Sequence, residues 1–248
     1  MSQTIYLKIK RKDVPNGESY WEEFEMPYRP SMNVISCLME IQKNPVNAKG
    51  KKTTPVVWDA ACLEEVCGSC TMVINGRVRQ ACSTLVDNLS QPIVIEPMSK
   101  FPNIRDLRVD RSKMFESLKR VKAWVPIDGT HNLGPGPRMS PKDQQIAYEL
   151  SRCMTCGCCL EACPQINPHS DFIGAAPISQ ARLFNMHPTG AMYADERLDA
   201  LMDKGGLGDC GNAQMCVEVC PKEIPLTTSI AEMEWEATKR MFKKLLWG

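Results

Sequence analysis

A chain of 248 residues, 43% of them hydrophobic, is long enough to bury one large or two ordinary cores, which excludes an extensively disordered protein. Its formal net charge of +1 argues against a partner held by phosphate neutralisation, so no nucleic acid is expected. No run approaches the roughly 20 apolar residues of a membrane span, and the opening MSQTIYLKIKRK lacks the apolar centre of a signal peptide, so the chain is expected to stay in the cytoplasm.

The first hundred or so residues read as β-rich. TIYLKIKRK alternates, NGES offers a turn and SYWEEFEMPY resumes an extended pattern. SMNVISCLMEIQKN then places Val34, Ile35, Leu38, Met39 and Ile41 at helical spacing behind Ser31 as the expected N-cap. TMVINGRVRQAC predicts a hairpin with Asn75-Gly76 at its tip, and QPIVIEPM another strand. The order of hairpin, helix, cysteine loop, hairpin and strand predicts a small β-grasp domain over about 1–106.

VPIDGTHNLGPGPRMSP is dense in Gly and Pro and reads as a linker. The remainder, 107–248, reads as an all-helical domain, so the fold class expected is α+β. Ser140-Pro141-Lys142-Asp143 supplies an N-cap, a proline at the first helical position and an acidic third residue. DERLDALMDKGG predicts a second helix stopped at Gly205-Gly206, and TSIAEMEWEATKRMFKKLLW the last.

Thirteen cysteines in a compartment that keeps thiols reduced point to metal ligation rather than disulfides, and most fall in three tight groups. Cys62, Cys67, Cys70 and Cys82 read C-x4-C-x2-C-x11-C, with the first spacings of a plant-type [2Fe–2S] ferredoxin. Gly68 and Ser69 are small enough for the backbone to wrap closely and aim N–H groups at sulfur. A four-cysteine zinc site is the competing reading, but zinc takes closely spaced pairs, and gaps of four and eleven disfavour it.

Cys153, Cys156, Cys159 and Cys163, followed by Pro164, read C-x2-C-x2-C-x3-C-P, the bacterial cubane frame. Cys210, Cys216 and Cys220-Pro221 fit the same frame with Ala213 at its second position. In two-cluster proteins the fourth cysteine serves the other cluster. One site then receives Cys153, Cys156, Cys159 and Cys220, a full set for [4Fe–4S]. The other receives Cys163, Cys210 and Cys216, three ligands, which favours [3Fe–4S]; Asp209 and Asn212 lie out of register for a fourth. Cys158 falls outside the frame and Cys37 lies on the apolar face of the first helix, so both are expected as buried hydrophobes. His131, His169 and His187 sit in loop-like stretches and read as surface residues. With no nucleophile–base pairing, GxGxxG or P-loop, no substrate chemistry is expected on this chain, and no catalytic residue is assigned.

The segments CLEEVCGSCTMVINGRVRQAC, CMTCGCCLEACP and CGNAQMCVEVCPKEIPL together closely resemble the iron–sulfur subunit of succinate dehydrogenase and fumarate reductase, across essentially the whole chain. The resemblance implies an oxidoreductase subunit of respiratory complex II and the tricarboxylic acid cycle. Electrons would pass from an FAD-containing flavoprotein through [2Fe–2S], [4Fe–4S] and [3Fe–4S] to a membrane-anchor cytochrome b and quinone. Ubiquinone-reducing members place tryptophans just after the Cys-Pro of the second motif and a histidine after the first cysteine of the third. Here those places read Gln165-Ile166-Asn167 and Gly211. With RPSMNVISCLMEIQKNPVN, this departure looks like the menaquinone-linked branch with a dihaem anchor, which implies a peripheral place on the cytoplasmic face of the cell membrane. The alternatives are the same role reversed in a quinol:fumarate reductase, or a soluble multi-cluster carrier. The C-terminal KRMFKKLLWG reads equally as a surface against an anchor or headgroups and as a frayed helix end.

Overall fold

The computed structural model describes residues 4–125 and 138–247, and for residue 247 the backbone only. Contacts divide the chain into two units: residues 1–111 with 154–161, and residues 112–153 with 162–248. The segment 154–161 thus groups with the N-terminal unit, which no change of patterning along the sequence reveals. Most of the Gly/Pro-rich linker, and His131 with it, lies outside the described residues.

The first unit is built on a five-stranded mixed sheet. Strands β1 (Thr4–Arg11), β2 (Tyr20–Pro27), β3 (Thr71–Ile74), β4 (Arg77–Gln80) and β5 (Ile93–Glu96) lie in the order β2-β1-β5-β3-β4. The β1–β5 pair is parallel, and the other pairs are antiparallel. Alternation along β1 buries Ile5, Leu7 and Ile9 on one face, where they meet Phe24, Ile74, Ile93 and Ile95. The helix α1 (Val34–Lys43) adds Val34, Ile35, Cys37, Leu38 and Ile41 to this core. Its cap is Asn33, not Ser31: Asn33 Oδ1 accepts from Ser36 N at 2.8 Å, while Ser31 sits two residues earlier at φ 63°. Met39, although at helical spacing, points to solvent. The hairpin turns at Asn75-Gly76, with φ of 48° and 74°, the pair of left-handed residues a two-residue turn requires. A two-stranded ribbon, β6 (Asn103–Arg105) and β7 (Arg108–Val109), follows.

One polar cluster is sealed inside this unit. Arg11 and Asp106 have fully buried side chains, with Nε donating to Asp106 Oδ1 at 2.8 Å. Arg11 Nη1 reaches Glu22 at 2.6 Å, and Asp106 accepts backbone N–H groups from Lys12 and Val57 at 3.1 and 2.8 Å. Residues 54–57, which lead into the first cysteine loop, are thereby tied to β1.

The second unit is helical among its described residues: α2 (Ser112–Arg120), α3 (Pro141–Ser151), the last residue of the short α4 (Cys158–Ala162), α5 (Ala175–Met186), α6 (Ala194–Met202), the short α7 (Met215–Glu218) and α8 (Leu226–Trp247). Ser140 caps α3 as its sequence predicts, accepting from Asp143 N at 3.1 Å. The core helix is α5, packed by α3, α6 and α8. Sequence periodicity missed it because Ala175, Ala176, Pro177, Ile178 and Ser179 are all buried, so no polar face marks the helix. Its Pro177 stands in the first turn, where a missing N–H costs nothing. Arg197 of α6 is also buried and donates to Lys122 O, Trp124 O, Asn185 Oδ1 and Gly190 O at 2.6–2.9 Å.

Removing Asp106 leaves the Arg11 charge buried with one of its two carboxylate partners gone. Asp106→Ala should cost about 3–5 kcal/mol, read as an earlier thermal loss of the visible absorbance of the iron–sulfur protein.

Candidate iron–sulfur sites

The loop between residues 62 and 70 carries its chemistry in the backbone. Leu63, Glu65 and Gly68 take φ of 61°, 56° and 70°, a left-handed geometry that costs non-glycine residues about 1–2 kcal/mol each. The turns bring the N–H groups of Glu64, Val66 and Cys67 to Cys62 Sγ at 3.3 Å each, and those of Cys62 and Ser69 to Cys67 Sγ at 3.5 and 3.4 Å. Burial acts to raise the Cys67 thiol, but the donors from Cys62 and Ser69 outweigh it and bring the group down to about 6. Such a loop stabilises thiolates, the form that binds iron.

The β3–β4 hairpin returns the fourth cysteine to the third. Ala81 N donates to Cys70 O at 3.1 Å, and the Cys70 and Cys82 thiols stand within hydrogen-bond reach. Burial first, then the neighbouring Cys82, pushes Cys70 up to about 12. Cys62 and Cys67 form one linked pair, Cys70 and Cys82 the other. A set of four thiols on a loop and a hairpin, backed by inward N–H donors, fits a binuclear cluster.

Cys156 and Cys159 belong to the first unit, in the segment 154–161, and Cys153 and Cys220 to the second. Cys158 is buried and accepts from Gln80 Nε2 at 3.5 Å. Its hydrogen bond to Cys156 and its burial hold its thiol well above the usual range. The same bond is the first cause that brings Cys156 down to about 7, against its burial and with help from Arg111. Cys37 is core, its thiol pushed up to about 12 by burial.

In the second unit Cys163, Cys210 and Cys216 stand near enough to feel one another. Burial raises the Cys216 thiol, and Cys163 and Cys210 raise it further. Ala213 is exposed between two left-handed residues, Asn212 at 49° and Gln214 at 59°. Beside them, Gln165 packs its amide over Gly211, so any side chain at 211 would meet it. Among the described residues no group of three His, Cys, Asp or Glu side chains is arranged to hold a single metal ion.

Comparison with known proteins identifies two iron–sulfur regions along the chain. Residues 6–116 match the 2Fe-2S iron-sulfur cluster binding domain family, and residues 149–224 the 4Fe-4S dicluster domain family. The succinate dehydrogenase iron-sulfur subunit of Bacillus subtilis (strain 168) is 64% identical over 97% of this chain and 95% of its own length. The chain belongs to the family of succinate dehydrogenase and fumarate reductase iron–sulfur subunits. A fumarate reductase iron-sulfur subunit from Wolinella succinogenes is 29% identical over 93% of this chain and 96% of its own. A solved chain of the Mycobacterium smegmatis Sdh1 complex in the apo form superposes with a TM-score of 0.78 at 25% identity, covering 98% of each chain. The iron–sulfur subunit is therefore an oxidoreductase component with a 2Fe-2S domain followed by a 4Fe-4S domain, and its role is electron relay.

Sequence reasoning missed two residues of these sites. Gln80 is buried and reaches Thr71 Oγ1 at 2.7 Å, Cys70 Sγ at 3.5 Å and Cys158 Sγ at 3.5 Å. Its signal is a polar residue at an inward position of β4. Arg111, described below, has none. His169 and His187 are exposed; His187 Nδ1 accepts from Thr189 N and Gly190 N at 3.2 and 3.1 Å, a local turn rather than a metal site. Of the four cations near the C-terminus, Arg240 and Lys244 pair with Asp199 of α6 at 2.6 and 2.7 Å, so they hold α8 onto its own unit. No described helix is long and apolar enough to cross a membrane.

Gly68 marks the tightest backbone approach in the first site. An added Cβ would fall 2.6 Å from Cys156 Cβ and 2.7 Å from its Cα, at a φ that already disfavours alanine. Gly68→Ala should therefore displace the loop and lower the iron retained per chain by at least half, measured by iron assay and visible circular dichroism.

Proposed function

We propose that this subunit relays electrons in a succinate:menaquinone oxidoreductase, with three clusters held by eleven cysteines. Cys62, Cys67, Cys70 and Cys82 would hold [2Fe–2S] in a β-grasp domain over 1–106. Cys153, Cys156, Cys159 and Cys220 would hold [4Fe–4S], and Cys163, Cys210 and Cys216 [3Fe–4S], in the helical domain over 107–248. Bound clusters supply one-electron uptake and release, which the side chains alone do not offer. The chain's own part is to keep thiolates deprotonated, hold the loops in register and exclude bulk water from the buried cysteines.

The observation that carries this reading is the array of five N–H donors turned onto Cys62 and Cys67, a device for stabilising thiolate ligands. Succinate oxidation is favoured over the reverse reaction by 64% identity to a succinate dehydrogenase subunit against 29% to a fumarate reductase subunit. The expected partners are an FAD-containing flavoprotein and a membrane-anchor cytochrome b of the dihaem type, which would hold the subunit at the cytoplasmic face of the membrane. Gln165 packed over Gly211 supports a quinone site that does not use this corner of the chain.

Replacing Cys67 removes a thiolate from a site with no spare ligand. In the assembled complex Cys67→Ala should abolish the [2Fe–2S] signal and cut succinate–quinone turnover at least a hundredfold, while succinate still reduces the flavin. Quinone reduction at the wild-type rate would refute the relay.

Ala213 gives the test of the trinuclear assignment. It is exposed, and a thiol placed there would complete the C-x2-C-x2-C-x3-C-P frame. Ala213→Cys should convert the site wholly or partly to [4Fe–4S], seen as loss of the paramagnetic signal that oxidised [3Fe–4S] gives in EPR. An oxidised wild-type complex without that signal would show that another residue supplies a fourth ligand.

A further inference from the structure

Arg111 stands outside all three cysteine motifs, at the end of the first unit's main segment. It is part-buried, and its two terminal nitrogens take adjacent carbonyls of the first cysteine loop: Nη1 donates to Gly68 O and Nη2 to Ser69 O, each at 2.6 Å. This two-pronged grip uses the planar fork of a guanidinium, which a lysine cannot reproduce. The carbonyls it holds lie between Cys67 and Cys70. The residue between those carbonyls and the second motif is Gly68, whose Cα is packed so closely on Cys156 that no Cβ fits.

We propose that Arg111 is a positioning residue for electron transfer: it clamps the Gly68-Ser69 turn against Cys156, and its fixed charge makes the cluster bound through Cys156 easier to reduce. The inference rests on the reading that Cys156 is a [4Fe–4S] ligand. The observations that carry it are geometric. The clamp is two short charge-assisted hydrogen bonds onto consecutive carbonyls, at the turn where Gly68 lies against Cys156. The same bonds place the charge: the guanidinium is held on the carbonyl of Gly68, the residue packed on that cysteine. A cation that favours a thiolate also favours an added electron on the iron that thiolate binds, because both add negative charge at the same place. Part-burial limits screening by salt, so the effect survives at physiological ionic strength.

The contact has a consequence for the route. Gly68 and Ser69 are flanked by two proposed ligands of the first cluster, and Cys156 is a proposed ligand of the second. The approach of Gly68 to Cys156 leaves no room for even a methyl group between the two residues. Arg111 holds that contact with two bonds, so its loss should loosen the approach as well as change the charge.

The test uses the assembled complex, with Arg111→Gln and Arg111→Lys. Redox titration followed by EPR reads the [4Fe–4S] reduction equilibrium, a quantity that a merely structural role would not move. R111Q, which loses the charge, should shift that equilibrium about tenfold against reduction, equal to about 59 mV for a one-electron couple. R111K keeps the charge and should shift it less than threefold, while the rate of electron passage from flavin to quinone falls because one prong of the clamp is lost. An unchanged equilibrium in R111Q, or a shift beyond threefold in R111K, would overturn the proposal. Should R111Q fail to retain its clusters, the rate in R111K decides: electron passage from flavin to quinone at the wild-type rate would overturn the proposal. Failure of the underlying reading is distinguishable: it would appear in the wild-type complex and in Cys156→Ser, as a [4Fe–4S] signal absent from the first or intact in the second.

Discussion

The rest of this molecule depends on one requirement: thiolates must be gathered in pairs and larger sets without repelling one another apart. Water solves this for free cysteines, but buried cysteines need donors from the protein. The chain supplies them from its backbone, by turning residues into left-handed conformations beside the cysteines. Leu63, Glu65 and Gly68 do this in the first group, Thr155 and Gly157 in the second, Asn212 and Gln214 in the third. Five of these seven are not glycine, so the strain is real, of order 1–3 kcal/mol each. In the first group it is offset by N–H groups of five residues that find sulfur to bind. Under the proposed assignment, a geometry that would be a defect in a structural loop is the means of ligation.

Strained loops need rigid supports, and each unit provides one in its own way. In the first, the Arg11–Asp106 pair is completely buried and anchors residues 54–57, which enter the loop at Cys62. Such a pair adds little net stability over an apolar substitute, but breaking it is costly, so it works as a positional constraint. In the second, Arg197 of α6 ties the chain after α2 to α5 by four hydrogen bonds, to oxygens of Lys122, Trp124, Asn185 and Gly190. These arginines are the two largest fully buried side chains among the described residues. A guanidinium can satisfy several oxygens from separate segments at once, which no apolar residue of similar size can do.

What the sequence made legible follows from how locally each feature is encoded. The strands β1 and β3–β5, the Asn75-Gly76 turn and the Ser140 cap are local patterns, and the structure bears them out. The family was legible because cysteine spacing is itself local. Asn33 displaced Ser31 as the α1 cap because its amide also donates to Cys82 O at 2.8 Å, a partner 49 residues away that no local rule can weigh. Helix α5 was hidden because a helix buried on most sides has no amphipathic stripe. Gln80 and Arg111 were hidden for the same reason as each other. Their roles arise only when the hairpin and the segment 154–161 fold onto the first cysteine loop.

The third cysteine group shows how a missing ligand can be as informative as a present one. Ala213 is exposed and flanked by two left-handed residues, at the position where the cubane frame would carry its second thiol. Nothing in packing demands alanine there, since the position faces solvent. Under the proposed assignment the reason is ligand count: a corner without a thiolate loses its iron, so the site would hold three irons and three thiolates where its neighbour holds four of each. One thiolate fewer and one iron fewer leave the net charge of the two oxidised sites alike. The difference in their readiness to take an electron would then follow from cluster type and surroundings, such as the burial of Cys216, rather than from thiolate count. Alanine at 213 would set the kind of cluster by leaving a ligand out, while the N–H donors around Cys62 and Cys67 manage charge by compensating it.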